Sequence, residues 1–341
     1  MTVFVFGDQQ AASAAGYIAA ASGRAVQLGF QPTDRIRAVS YDGLLTEVDI
    51  DARPLDGAGI EAAVLVAESR KLKQHIEPQR HQLAGVPLLL APGGFGGVLR
   101  VLEWFREWGL EPPRVAEATG FPVSGTVSEG VLTPHTIKRR LPMAAETAGE
   151  TRVLHAQFVR LLPELVPSEL VTTSLSNTNH MIHPGVVLLN AARIQNAEPF
   201  SFYRNGISPA VGALIEAVDA ERLEIVRRLG AEELGVRDWL VRFYGQEGMA
   251  GDGIIDCLQT FANFERVPSP PSLDYRYVAD DVPFGVAQWG ELARGLGITT
   301  PHLDGLLTLL RSLDIDHGLD ADVPAARLFQ QFLHTSQGAI K

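Results

Sequence analysis

One cysteine, Cys257, is all that the 341-residue chain contains, so neither an internal disulfide nor a cysteine-rich zinc site is open to it. No uninterrupted apolar run approaches the roughly 18–20 residues that span a bilayer. The opening "MTVFVFGD" lacks the basic lead and long apolar stretch of a secretory signal. Basic blocks are missing as well. Lys and Arg number 29 against 40 Asp and Glu, and the net charge of −11 speaks against nucleic acid as a partner. An anionic small molecule would have to be held by local arginines. These absences lead us to expect a cytoplasmic globular protein without membrane contact. With 46% hydrophobic residues, the length suits two domains at about 100–200 residues each.

A further absence lies in the first turn. The stretch "VFVFGDQQAASAAGYIAAASGRAV" has the outline of a dinucleotide-binding unit: an apolar strand, Gly7, an Ala-rich helix and a second strand. The fingerprint for such a turn is G-x-G-x-x-G/A, and here its positions hold Gly7, Gln9 and Ala12. Alanine is tolerable at the third place, which serves helix–strand packing. Gln9 instead puts a side chain where a pyrophosphate would approach the backbone. Asp8 adds a negative charge and is a good helix N-cap, able to satisfy N–H groups that would otherwise bind phosphate.

Apolar runs then alternate with helical stretches: "LLTEVDI", "AAVLVA", "VPLLLAPGGFGG", the amphipathic "GGVLRVLEWFREWGL" and "RVAEATG". Buried strands separated by helices and glycines predict a doubly wound, Rossmann-like α/β domain over residues 1–150. "VSGTVSEGVLTPHTIKRRLPMAA" reads as additional strands closing an edge. No acidic residue stands at 28–31, at the end of the second strand, to meet a ribose 2′-hydroxyl. Arg35 and Arg37 follow, and basic residues there favour a 2′-phosphate, although both also read as solvated loop residues. In "VAESRKLKQ", Arg70 or Lys71 could hold phosphate in place of the altered first turn.

The polar "ETAGET" marks the expected boundary, and residues 151–341 read as an all-α domain. "PAVGALIEAVDAERLEIVRRLG" has helical spacing and a terminating Gly230, and "PHLDGLLTLLRSL" forms a further helix. The proline-rich "RVPSPPSLDYRYVADDVPFG" reads as an ordered loop. Two clusters there carry chemistry. In "SLSNTNHMIHPGVVLLNAARI", Asn179, His180 and His183 precede Pro184, a residue suited to the first turn of a helix. They can be read as helix caps, as two metal ligands without an evident third, or as acid–base groups. In "LDYRYVADDVPFG", Arg276, Asp280 and Asp281 fall within six residues, which alone suits a solvated turn with a weak ion pair.

Taken in order, "NxxxHP", then Phe202, Tyr203, Gly206, Ile207, Ser208 and Pro209 as "fYxxGIsP", then "RYxxxDVPxG", resemble the opine dehydrogenases of the octopine/nopaline group. The likeness covers most of residues 172–310. "LLLAPGGFGG" and "RVAEATGFP" resemble that family more loosely. The resemblance implies a Rossmann domain followed by a helical catalytic domain. It implies reductive condensation of an amino acid with a 2-oxo acid, or reduction of a related imine or keto acid, by NAD(P)H; Arg35 and Arg37 make NADP(H) the expected form, with NAD(H) as the alternative. His183 matches the family's catalytic histidine, Asp281 its acidic partner, and Arg276 the arginine that grips a substrate carboxylate. Asn179 matches an asparagine that binds substrate or orients the histidine. Gly7, Gln9, Gln10, Ala11, Arg35, Arg37 and Gly93 would face the cofactor. The partners would be small carboxylates, with a homodimer through the apolar helices and no metal. Asp8 and Gln9 motivate a rival, a redox-silent relative using the same His–Asp–Arg site for cofactor-free condensation, elimination or isomerisation. A third class is a non-catalytic binding protein for a carboxylated metabolite.

Overall fold

The structure, a computed structural model, describes residues 2–29, 35–39, 45–52, 59–120, 123–313 and 325–338. It divides into two compact units, 1–93 with 97–173, and 94–96 with 174–341. The expected boundary near 150 thus lies within the first unit. The reason is packing: helix Ala148–Phe158 buries Leu154 and Phe158 in the core of the sheet unit, and the strand after it joins the sheet.

Among the described residues that sheet has eleven strands: β1 (Thr2–Gly7), β2 (Ala25–Leu28), β3 (Arg35–Val39), β4 (Leu45–Ala52), β5 (Ile60–Val66), β6 (Pro87–Leu90), β7 (Arg114–Ala118), β8 (Val123–Ser128), β9 (Val131–Ile137), β10 (Leu141–Ala145) and β11 (Leu165–Pro167). Their order is β11-β10-β7-β6-β5-β1-β2-β4-β3-β9-β8. From β7 through β4 the neighbours run parallel, which makes the doubly wound core. The chain leaves β1 toward β2 on one side and returns to β5 on the other. The β1/β5 junction is therefore the topological switch point, where ligands of such sheets bind beyond the carboxyl ends. The extra strands close both edges. β10 runs antiparallel to β7, while the β8/β9 hairpin joins β3, itself antiparallel to β4.

The first helix, Gln10–Ser22, is buried from Ala11 through Ala19, and its run of alanines is what allows so close an approach on every side. Ser13 donates to the Gly125 carbonyl at 3.1 Å, tying the helix to β8. Glu117, at the end of β7, is buried and accepts the Val98 N–H at 3.0 Å and the Thr173 hydroxyl at 2.8 Å. It thereby caps helix Gly97–Glu107 with a charge suited to a helix N-terminus.

The second unit is helical. Its long helix Pro209–Arg228 begins at Ser208, whose hydroxyl accepts from Val211 N–H, with Pro209 in the first turn. Arg222 is fully buried on it. Its guanidinium meets Asp219 at 2.7 Å and the Leu175 and Leu234 carbonyls at 3.1 and 2.8 Å, while Asp219 also takes the Val236 N–H at 2.8 Å. Glu221 accepts the N–H groups of His302 and Leu303, capping helix Pro301–Ser312. Among the described residues, no helix is long and apolar enough to cross a membrane. Removing one partner of a buried ion pair leaves the other charge uncompensated. Asp219→Ala should therefore destabilise the helical unit by roughly 3–5 kcal/mol, read as a lower urea midpoint. Asp219→Leu combined with Arg222→Met should recover only part of that loss, because the Val236 N–H and the Leu175 and Leu234 carbonyls then lose their partners.

Candidate active site

Helix Thr178–Leu189 starts earlier than Pro184, the start its sequence suggested. Asn177 caps it from an extended conformation, its side-chain oxygen accepting the Asn179 N–H at 3.1 Å. Pro184 lies inside the helix, so His183 occupies the second turn rather than the N-terminus. His180 and His183, three residues apart, share a helix face, and both are buried.

The facing element corrects a second expectation. The loop ends at Tyr275, where a short helix Arg276–Ala279 begins; a wider π-type turn, Val282–Val286, then leads into helix Ala287–Gly295. Such local widening re-aims side chains and recurs at functional sites. Asp281 sits at the junction, buried. One carboxylate oxygen lies 2.7 Å from His183 Nδ1 and the other 3.5 Å from His180 Nε2. Gly285 makes the approach possible, because a Cβ there would fall 2.4 Å from His180 Cγ. The Asn177 amide nitrogen lies 3.0 Å from His180 Nε2.

His183 is enclosed. Its Nε2 lies 3.1 Å from the Tyr203 hydroxyl, the Tyr277 ring packs against it at 4.0 Å, and Phe202 meets it edge-on at 5.5 Å. Burial, aided by the charge of Arg276, pushes its pKa well below the usual imidazole range. A neutral ring facing an ionised carboxylate must carry its proton on Nδ1, which leaves the Nε2 lone pair as the acceptor. Arg276 is half-buried, with its guanidinium 5.3 Å from the Tyr277 ring. Burial alone would lower its pKa, but Asp281 and the neighbouring phenols raise it. Asn179 is half-buried on the same helix as His183. The helical unit thus brings His183, Asp281 and Arg276 together, a base with a carboxylate behind it and a cation beside it. Sequence reasoning settled no role for Tyr203, His180, Asn177, Tyr277 or Gly285. Tyr203, Tyr277 and Gly285 stood in the spaced motifs, and His180 and Asn177 flanked Asn179.

In the sheet unit, Gly7 closes β1 at φ +132°, and a Cβ there would sit 2.0 Å from the Val66 carbonyl oxygen, so only glycine makes this turn. The N-cap role expected of Asp8 is not the one it plays. The cap position falls to Gln9, and no side chain caps the helix. Asp8 turns instead to the loop after β5, accepting the Glu68 N–H at 3.1 Å and facing Lys71 at 3.3 Å and His75 at 3.2 Å. Burial alone would raise its pKa, but these partners hold it down at about 2. The negative charge beside the turn is therefore met by two basic side chains. Gln9 has helical backbone angles and is exposed; Gln10 is exposed too, with its side-chain oxygen 3.5 Å from the Gly125 nitrogen. The Ala11 N–H is already donated to the Asp8 carbonyl at 2.8 Å, leaving the Gln9 and Gln10 N–H groups at the helix end. A glycine-only turn, an uncapped helix N-terminus and a neutralised acid fit a dinucleotide pyrophosphate.

Gly93 is accounted for by packing, since its Cβ would lie 2.5 Å from Glu117 Cβ. Lys71 bridges Asp8 and Glu68, and Arg70 pairs with Glu68 at 2.6 Å. Arg35 and Arg37 lie in β3 rather than in a loop. Leu28 pairs with Ala52 on β4 and Arg37 with Glu47, so Arg37 stands five residues down the strand from the end of β2, roughly 16 Å away. The structure does not bring Arg37 to that end. Arg35 is two residues nearer, and its side chain lies outside the described residues, as do Phe30 and Gln31.

The fold is that of octopine dehydrogenase. The structure of octopine dehydrogenase in complex with NADH and agmatine matches with a TM-score of 0.72 over 97% of this chain and 95% of that one, at 15% identity. Yersinopine dehydrogenase with NADP+ bound matches with a TM-score of 0.69 over 98% of each, at 16% identity. Residues 167–313 match the family described as NAD/NADP octopine/nopaline dehydrogenase, alpha-helical domain. The opine dehydrogenase of Arthrobacter sp. (strain 1C) is 33% identical over 231 residues, 67% of this chain and 64% of that protein. Residues 167–313 thus carry the alpha-helical domain of the octopine/nopaline dehydrogenase family. It spans a little under two thirds of the Arthrobacter relative and about half the length of other curated relatives that it matches.

The buried histidines make stability depend on pH. Burial lowers His180 to about 4, against the pull of Asp281 and with the repulsion of His183. A folded pKa below the unfolded value of 6.5 means that the unfolded chain takes up the proton first. Stability is then complete above pH 6.5 and falls as pH drops toward 4, by about 1.4 kcal/mol per unit for each such histidine. Urea titrations at several pH values should show this slope. His180→Asn should reduce it by one group's contribution and leave that of His183.

Proposed function

We propose that the protein is an NAD(P)H-dependent opine dehydrogenase, condensing the amino group of an amino acid with a 2-oxo acid and reducing the resulting imine. The observation that carries this reading is the buried His183–Asp281 contact of 2.7 Å with Arg276 beside it, inside the segment that matches the family. Arg276 would take a substrate carboxylate, a task suited to its planar fork and fixed charge. His183 would accept the proton that the attacking amine releases and return one to the departing hydroxyl. Asp281 would hold the ring and balance the imidazolium formed in between. Asn179 would contact substrate from the same helix. The reduced nicotinamide, when bound, supplies a hydride to the C=N carbon.

The dinucleotide would lie on the turn at Gly7, with its pyrophosphate at the Gln9 and Gln10 N–H groups. We read NADP(H) as the preferred form because no carboxylate stands at Leu28 or Gly29, where NAD sites offer one to the ribose. Octopine dehydrogenase structures with arginine and with pyruvate make small carboxylates the class of substrate to test first. The redox-silent alternative drew its support from Asp8 and Gln9. Asp8 is matched by Lys71 and His75 and does not cap the helix, so the observations favour the reductase.

Calorimetric titration should give micromolar binding of NADPH and weaker binding of NADH. No binding of either at millimolar cofactor would sink the proposal. With a turning-over substrate pair found by screening, His183→Ala should lower kcat by about 10²–10⁴-fold. Arg276→Lys should act mainly by raising KM for the oxo acid, since one point charge replaces a bidentate fork.

A further inference from the structure

The basic atom of His183 is not open. Its Nδ1 is taken by Asp281, one side is covered by Tyr277 and Phe202, and Nε2 is met by the Tyr203 hydroxyl at 3.1 Å. Tyr203 is held firmly in that place. It belongs to the turn 201–206, closed by the Gly206 N–H donating to Ser201 O and by the Asn205 side chain accepting the Ser201 N–H. Gly206 is obligatory there, since a Cβ would lie 2.3 Å from the Phe202 carbonyl oxygen. Asn190 anchors the turn to the His183 helix by donating to Gly206 O at 2.8 Å. The phenol ring stacks on Phe264 at 4.2 Å and stands edge-on to Phe202 at 5.1 Å. This much construction fixes a hydroxyl, where a phenyl ring would have served a purely apolar core.

We propose that Tyr203 is the group through which His183 exchanges its proton: a relay running from substrate through Tyr203 Oη and His183 Nε2, with the charge balanced at Asp281. This rests on the reading of His183 as the acid–base residue. As the substrate amine loses its proton to Tyr203 Oη, the phenolic proton passes to Nε2, and the imidazolium is stabilised by Asp281. For the departing hydroxyl the same two protons move back, so the phenol is never left charged. Burial keeps the phenol protonated at neutral pH, as a donor toward Nε2 requires. A hydroxyl is suited to the task because it donates and accepts at once.

Tyr203→Phe removes one atom and keeps the ring stack. It should lower kcat by about 10²-fold, with KM for the oxo acid and Kd for NADPH within about twofold of the parent. Unchanged kcat, or higher kcat from a less hindered Nε2, would overturn the relay. A loss of kcat matched by weaker cofactor binding and a lower Tm would overturn it too, as a packing effect. A second measurement needs no turnover. In protein labelled with 15N-histidine, His183 should show the Nδ1–H tautomer, with an Nε2 signal that moves in Tyr203→Phe as its donor is lost. An Nε2 resonance indifferent to that change would refute the contact itself. If no substrate pair turns over while the Nε2 signal still moves, the proposed activity has failed and the Tyr203–His183 contact has not.

Discussion

A single carboxylate, that of Asp281, organises the helical unit. A buried carboxylate is tolerated only where donors replace the water it has lost. Asp281 faces two imidazoles, His183 closely and His180 at longer range. Bringing both rings to it requires the two histidines on one face of one helix, the aspartate at a widened turn of another, and no side chain between the backbones. Gly285 meets the last condition and Asn177 the first, by starting the helix early enough to place both rings in its first two turns. The imidazole that results is neutral but next to a compensating charge, which is the state a general base needs before it takes a proton.

The nucleotide turn solves a related problem by different means. A carboxylate beside an anion site is an obstacle only while its charge is unmatched. Asp8 is drawn onto the loop after β5 by Lys71, His75 and the Glu68 N–H, which stitches the two strands of the switch point together beyond their ends. The acid thus belongs to the scaffold of the turn, while the helix N-terminus stays uncapped. Buried acids act likewise elsewhere, Glu117 and Glu221 each capping a helix and Asp219 holding Arg222.

Much of this was legible in the sequence. Apolar runs broken by glycines fixed a parallel α/β sheet, and helical spacing fixed the second half, because both signals are local and repeat many times. The order of the motifs around His183, Arg276 and Asp281 carried the family and the three residues that the structure brings together. Residues whose backbone geometry has one solution, such as Gly7, were readable for the same reason.

What the sequence left open depended on partners far along the chain. No local rule tells that Asn177 wins the helix start from Pro184, that Asp8 prefers Lys71 and His75 to its own helix, or that helix Ala148–Phe158 packs with the sheet. Strand register alone separates Arg37 from the end of β2. Tyr203 gains its meaning only when a turn twenty residues from His183 folds back onto Nε2. The sequence by itself determined which elements form and which chemical groups are present. Tertiary structure decided which of those groups meet, because burial makes each charge seek a partner wherever the fold can supply one.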